Sequence, residues 1–191
     1  MAKSDPTQFD YKNGASIEAD VWRAYYNHQF FKLFWKLLKL AKSRANFGWF
    51  LTIRLSYYSA CAAAYYRLRR HKGVDNTRVL KNLTKFYRLV SAKSVQPFDY
   101  KKAAELDLAW WEIHRHSPEN SEALAKALAD AAAVLYNVDS STLCEYAHLR
   151  AEAMAMPRHE GDKQAIPTDW QKITDLLEKS WHSLHTAVQK K

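Results

Sequence analysis

Apolar positions recur three and four residues apart along most of this chain, the period of a helix with one buried face. No stretch alternates apolar and polar residues as a half-buried strand would. The pattern predicts seven helices. The first spans Ser16 to Ser43: around Phe31 it gathers Tyr26, Phe30, Leu33, Phe34, Leu37, Leu38 and Ala41 into a broad apolar arc, with Lys32, Lys36 and Lys39 in a narrow stripe opposite. The second, Phe47 to His71, carries Ser56, Ser59, Ala60 and Ala63, small enough to admit another helix closely. It ends in Arg67, Arg69, Arg70, His71 and Lys72 ahead of Gly73, where cations complement the helix dipole and glycine suits a cap. The third begins at Asp75-Asn76-Thr77 and turns Val79, Leu80, Leu83, Phe86, Tyr87 and Val90 inward, leaving Arg78, Lys81, Lys85 and Arg88 on its polar side.

Punctuation places the remaining four. Asp99 caps a fourth helix reaching Arg115, with Ala103, Leu106, Trp110 and Ile113 facing inward. Ser117-Pro118-Glu119 starts a fifth, with proline at its first helical position, which runs through an alanine-rich stretch to Tyr136-Asn137. Thr142-x-x-Glu145 and Thr168-x-x-Gln171 fit the capping box and open the sixth and seventh, joined through Met156 to Pro167, the expected flexible connection. The expected architecture is therefore an all-α, single-domain helical bundle of about seven helices over residues 16–191. Residues 1–15 form a flexible N-terminal segment, and the long first and second helices sit at the centre of the packing.

Composition sharpens this picture in two places. Four glycines and five prolines in 191 residues leave few of the tight turns that hairpins and βα units require. Cys61 and Cys144 lie in apolar helical patterns without metal-binding spacing, so they read as buried, reduced and structural. Together with a polar N-terminus lacking a signal-peptide core, they point to a cytoplasmic protein. The stretch Ala45 to Tyr66 is long enough to cross a bilayer and holds one charge, Arg54, yet its Ser, Tyr and Asn content and that central arginine favour a core helix.

Charge then supplies the functional expectation. Residues 1–100 carry 18 Lys and Arg against 6 Asp and Glu, whereas residues 101–191 carry 11 against 14. So basic a first half implies an anionic partner, whether nucleic acid, acidic protein or membrane surface. The stripes Lys32, Lys36, Lys39 and Arg78, Lys81, Lys85, Arg88 are the candidate anion-binding face, provided the two helices lie side by side. The leading reading is a non-enzymatic binding or interaction protein without a cofactor.

Three other constellations bear on chemistry. Asp107, Trp110, Trp111 and His114 share one side of a helix, and Arg54, an arginine in an apolar helix, needs an anion such as Asp107 or Glu105. Arg54, Asp107, Trp110 and His114 thus form an expected polar core cluster, or a pocket for a planar ligand. Glu145-x-x-His148 is a lone pair of the kind two of which build a di-iron bundle, with Glu178, His182 and His185 on one face of the last helix. No complete metal site follows from them. Arg23-x-x-x-x-His28 resembles the R-x(4–6)-H motif of HEPN-type ribonucleases, and that resemblance, confined to the two residues, implies RNA cleavage. A helical enzyme, either a metal-dependent oxidase or a HEPN-like ribonuclease, is the alternative reading. P-loop, G-x-G-x-x-G, H-E-x-x-H and G-x-S-x-G motifs are absent.

Overall fold

The structure, a computed structural model, describes residues 5, 7–27, 29–44, 48–68, 75–117, 119–156 and 167–190. Eight α-helices account for most of them: α1 (Tyr11–Tyr26), α2 (Phe30–Arg44), α3 (Trp49–Leu68), α4 (Thr77–Lys93), α5 (Tyr100–His116), α6 (Ser121–Tyr136), α7 (Cys144–Ala155) and α8 (Pro167–Gln189). There is no strand among the described residues. Each helix packs on its neighbours in sequence, and α8 returns to pack on α1, so the chain closes into a circuit.

The apolar pattern runs without interruption from Ser16 to Ser43, but the helix does not. It breaks at Asn27, whose N–H caps the Arg23 carbonyl, and Gln29 N–H donates to the Ala24 carbonyl. The fold-back lets Lys36 of α2 reach Asp20 of α1. In one continuous helix those two residues would stand roughly 24 Å apart. Doubling back puts Leu33, Leu37 and Leu40 against the same core as Ala15, Ala19 and Val21.

Caps account for several other boundaries. Asp99 accepts from Lys101 N and Lys102 N at 2.9 and 3.1 Å, starting α5 where the sequence places it. Asn120, rather than Ser117-Pro118, starts α6, because its side chain accepts from Ala123 N at 3.0 Å, while Ser117 closes α5. The Thr142–Glu145 capping box does not form: Asp139 caps a 3-10 turn over Ser140–Leu143 by accepting from Ser141 N, and Glu145 instead accepts from the Ser183 hydroxyl at 2.8 Å. The connection over 157–166 lies outside the described residues.

The main core is built on α8, not on the first two helices. Ile173, Leu177, Trp181, Leu184 and Val188 recur three, four and seven residues apart, all buried, against α1, α2, α6 and α7. Gly14 has a specific reason to be glycine: a β-carbon there would lie 2.8 Å from the Trp181 ring. Phe9, expected in a flexible segment, is buried edge-on against the same ring, and α1 begins at Tyr11. A smaller second core joins α3, α4 and α5 through Ala62, Tyr66, Val79, Leu83, Ala104 and Leu108. Helix α5 serves both, Trp110 packing on the first core and Trp111 on the second. Neither cysteine is buried: Cys61 is half-buried and Cys144 exposed, both as free thiols.

Candidate functional site

The two basic stripes lie on either side of α3. Principal contacts run α2 to α3 and α3 to α4, none directly from α2 to α4, so α3 separates them instead of letting them merge. On α2, Lys32 and Lys39 are exposed, whereas Lys36 is paired with Asp20 and is no longer a free cation. On α4, Arg78, Lys81 and Arg88 are exposed. Arg78 and half-buried Lys85 lean over the rings of Tyr65 and Tyr58 on α3, at 5.7 and 5.5 Å.

Between the stripes stands a face the sequence reading missed. Phe31, expected at the centre of the buried arc of α2, is 89% exposed, and Trp35 one turn on is 62% exposed. On α3, Trp49, Phe50, Ile53, Tyr57 and Leu68 are all exposed, while the inward side holds Thr52, Leu55, Ser56, Ala62 and Tyr66. At 3.6 residues per turn the five outward residues fall within one side of the helix. Lys42 joins the two helices, its ammonium 4.2 Å above the Trp49 ring. Arg54 belongs to this face too: it is exposed beside Phe50, at 6.0 Å from that ring, and is not part of a core cluster. Nothing in α3 obliged its arginine to be buried, since its side points away from the second core. Two signals were available in the sequence. No Asp or Glu occurs between Asp20 and Asp75, and α3 is apolar on all sides, so its burial could not be deduced from periodicity.

The other expected members of the cluster, Asp107, Trp110 and His114, are half-buried on α5. Trp110 Nε1 donates to Asp107 at 2.6 Å, and His114 Nε2 lies 3.2 Å from the Met154 carbonyl, which fixes α5 to the end of α7. Asp107 and Trp110 line a cavity of about 110 Å³ with Tyr87, Tyr136, Tyr146 and Arg150. Arg150 forms the one buried ion pair found among the described residues. Its guanidinium grips Glu18 of α1 with both terminal nitrogens, the Nη1 contact at 3.0 Å, and Trp181 Nε1 donates to the same carboxylate at 2.6 Å. Burial alone lowers the Arg150 pKa. The Glu18 carboxylate and the Tyr146 hydroxyl more than offset that, so its pKa is raised above the ordinary value. This pair spans 132 residues of sequence, and no local spacing announces it.

The metal-ligating candidates are scattered. His182 and His185 stack on Tyr11, and His185 also on Phe9. Glu145 is engaged by Ser183, and His148 Nδ1 donates to the Cys144 carbonyl at 2.8 Å, in a groove with Ser121 and Glu152. Among the described residues no three His, Cys, Asp or Glu side chains converge. Arg23 is exposed, 3.8 Å from Asp20 and 5.2 Å from the Trp170 ring, while His28 lies outside the described residues.

The fold and this face define an all-α bundle bearing a cationic outer surface with aromatic residues set in it. Compared with protein families, with curated proteins and with solved structures, the chain has no match.

Proposed function

We propose that this protein acts by binding an anionic partner across α2, α3 and α4, and not by catalysis. The observation that carries the reading is a run of 54 residues, 21–74, without a carboxylate. Within it Lys32, Lys39, Lys42 and Arg54 are exposed, and Arg78, Lys81 and Arg88 of α4 extend the cationic surface beyond it. Anions gain from such a surface through released counterions, and no neighbouring carboxylate competes for these cations along α2 or α3. A reducing compartment such as the cytoplasm fits the two free thiols, one of them exposed.

Retention on immobilised heparin tests this directly. The protein is expected to bind at about 50 mM salt and to lose most of its affinity by about 200 mM, and Lys39→Glu/Lys42→Glu/Arg54→Glu should weaken binding by at least roughly tenfold. Absence of retention at the lower salt overturns the reading.

A further inference from the structure

We infer that the anionic partner is a phospholipid surface, on which the outer faces of α2 and α3 lie flat. This rests on the reading above and gives it a chemical identity. Helix α3 lacks the polar outer side of a solvated helix: its outward side is Trp49, Phe50, Ile53, Tyr57 and Leu68 with Arg54 among them, while Leu55, Ala62 and Tyr66 face inward with Thr52 and Ser56. Helix α2 adds Phe31 and Trp35 one turn apart. Apolar side chains gathered on this scale mark a surface made to be covered.

Charge decides what covers it. A second copy of the same face would bring Lys32, Lys39, Lys42 and Arg54 against their own kind, with no carboxylate on either helix to answer them. A nucleic-acid duplex would satisfy the cations and leave Ile53 and Leu68 in water. An acidic bilayer meets both demands at different depths, with lipid phosphates at the level of the ammonium and guanidinium groups and acyl chains beneath for the aromatic and aliphatic side chains. Lys42, 4.2 Å from the exposed Trp49 ring, sets a cation directly beside an indole as such a boundary requires, and long cationic stems keep their heads at the polar level. No helix among the described residues is long and apolar enough to cross a membrane, which leaves the interfacial position for α3. Its 20 residues would lie along about 30 Å of the surface.

The test is co-sedimentation of the full chain with vesicles of phosphatidylcholine alone or mixed with phosphatidylglycerol, run beside heparin and single-stranded RNA. Binding to the mixed vesicles and not to the neutral ones is expected, with Trp35 and Trp49 becoming protected from acrylamide quenching. Trp35→Ser/Phe50→Ser/Ile53→Ser should lower vesicle binding by at least roughly tenfold while heparin retention is unchanged, since all three side chains are exposed and their loss leaves the cores intact. Circular dichroism checks that the variant is folded. A protein that binds heparin or RNA but not the mixed vesicles overturns the lipid assignment and leaves the anion-binding reading standing. One that binds none of the probes overturns both. Unchanged vesicle binding by the triple variant overturns insertion of the apolar face, and a dimer that forms through this face and excludes vesicles overturns the lipid in favour of a second copy.

Discussion

At the scale of single residues, the strongest constraint is the Glu18–Arg150 pair with Trp181 as its third member. A carboxylate and a guanidinium removed from water are tolerable only together, and here every contact that Trp181 and Arg150 make to Glu18 comes from a different helix. Arg150→Ala leaves the Glu18 carboxylate buried without its guanidinium and is expected to cost about 3–5 kcal/mol in a denaturant melt. Glu18→Leu/Arg150→Met should recover most of that loss, because it removes both desolvation costs at once. Tyr26 carries a different signature: burial, with a smaller contribution from Tyr25, pushes its hydroxyl from 10 up to about 12. The folded protein therefore keeps a proton that the unfolded chain releases. Its contribution to stability is complete below pH 10 and falls away as pH rises to about 12, at up to roughly 1.4 kcal/mol per pH unit. Melts recorded across that window should show Tyr26→Phe losing less stability than the parent.

At the scale of elements, caps decide where helices begin, and Asp99 is the cleanest case, with two backbone donors on one carboxylate. Asp99→Ala is expected to cost about 1 kcal/mol, read as a lowered melting temperature. The same elements show how much was legible in the sequence. The start of α5, the spacing of the α4 stripe and the all-α class follow from local signals, which depend on residues within a turn or two of each other. The break at Asn27 does not, because Leu33 and Leu37 each lie five whole turns after Ala15 and Ala19 and so continue their period whether the chain runs on or doubles back. Competing capping residues misled in two places: Asn120 displaced Ser117, and Asp139 displaced Thr142, each a better side-chain acceptor placed a few residues away. Helix α3 was the hardest to read. Its apolar residues surround the axis, so which side faces water is set by its neighbours α2 and α4, and Arg54 went to the wrong side for that reason.

At the scale of the whole molecule, α8 joins what the other helices leave open. It supplies Trp170, Ile173, Leu177, Trp181 and Leu184 to the main core and packs on both α1 and α7. A chain ending at Met156 is expected to lose cooperative unfolding and to expose tryptophan to solvent, whereas a local contribution from α8 would leave a stable remainder. Thermal melts followed by circular dichroism and fluorescence distinguish the two. The candidate interface depends on this closure only through α2, whose Leu33, Leu37 and Leu40 pack on the main core, whereas α3 and α4 are built around the smaller one.

The circuit also sets an order of events for a chain made from one end. Glu18 is translated well before Arg150 and Trp181, which lie 132 and 163 residues behind it. Until they arrive, the carboxylate on the inner side of the segment that will become α1 lacks the guanidinium and indole donors that accompany its burial. Closure of the main core around Glu18 therefore waits on α7 and α8, a long-range dependence of the kind that slows folding.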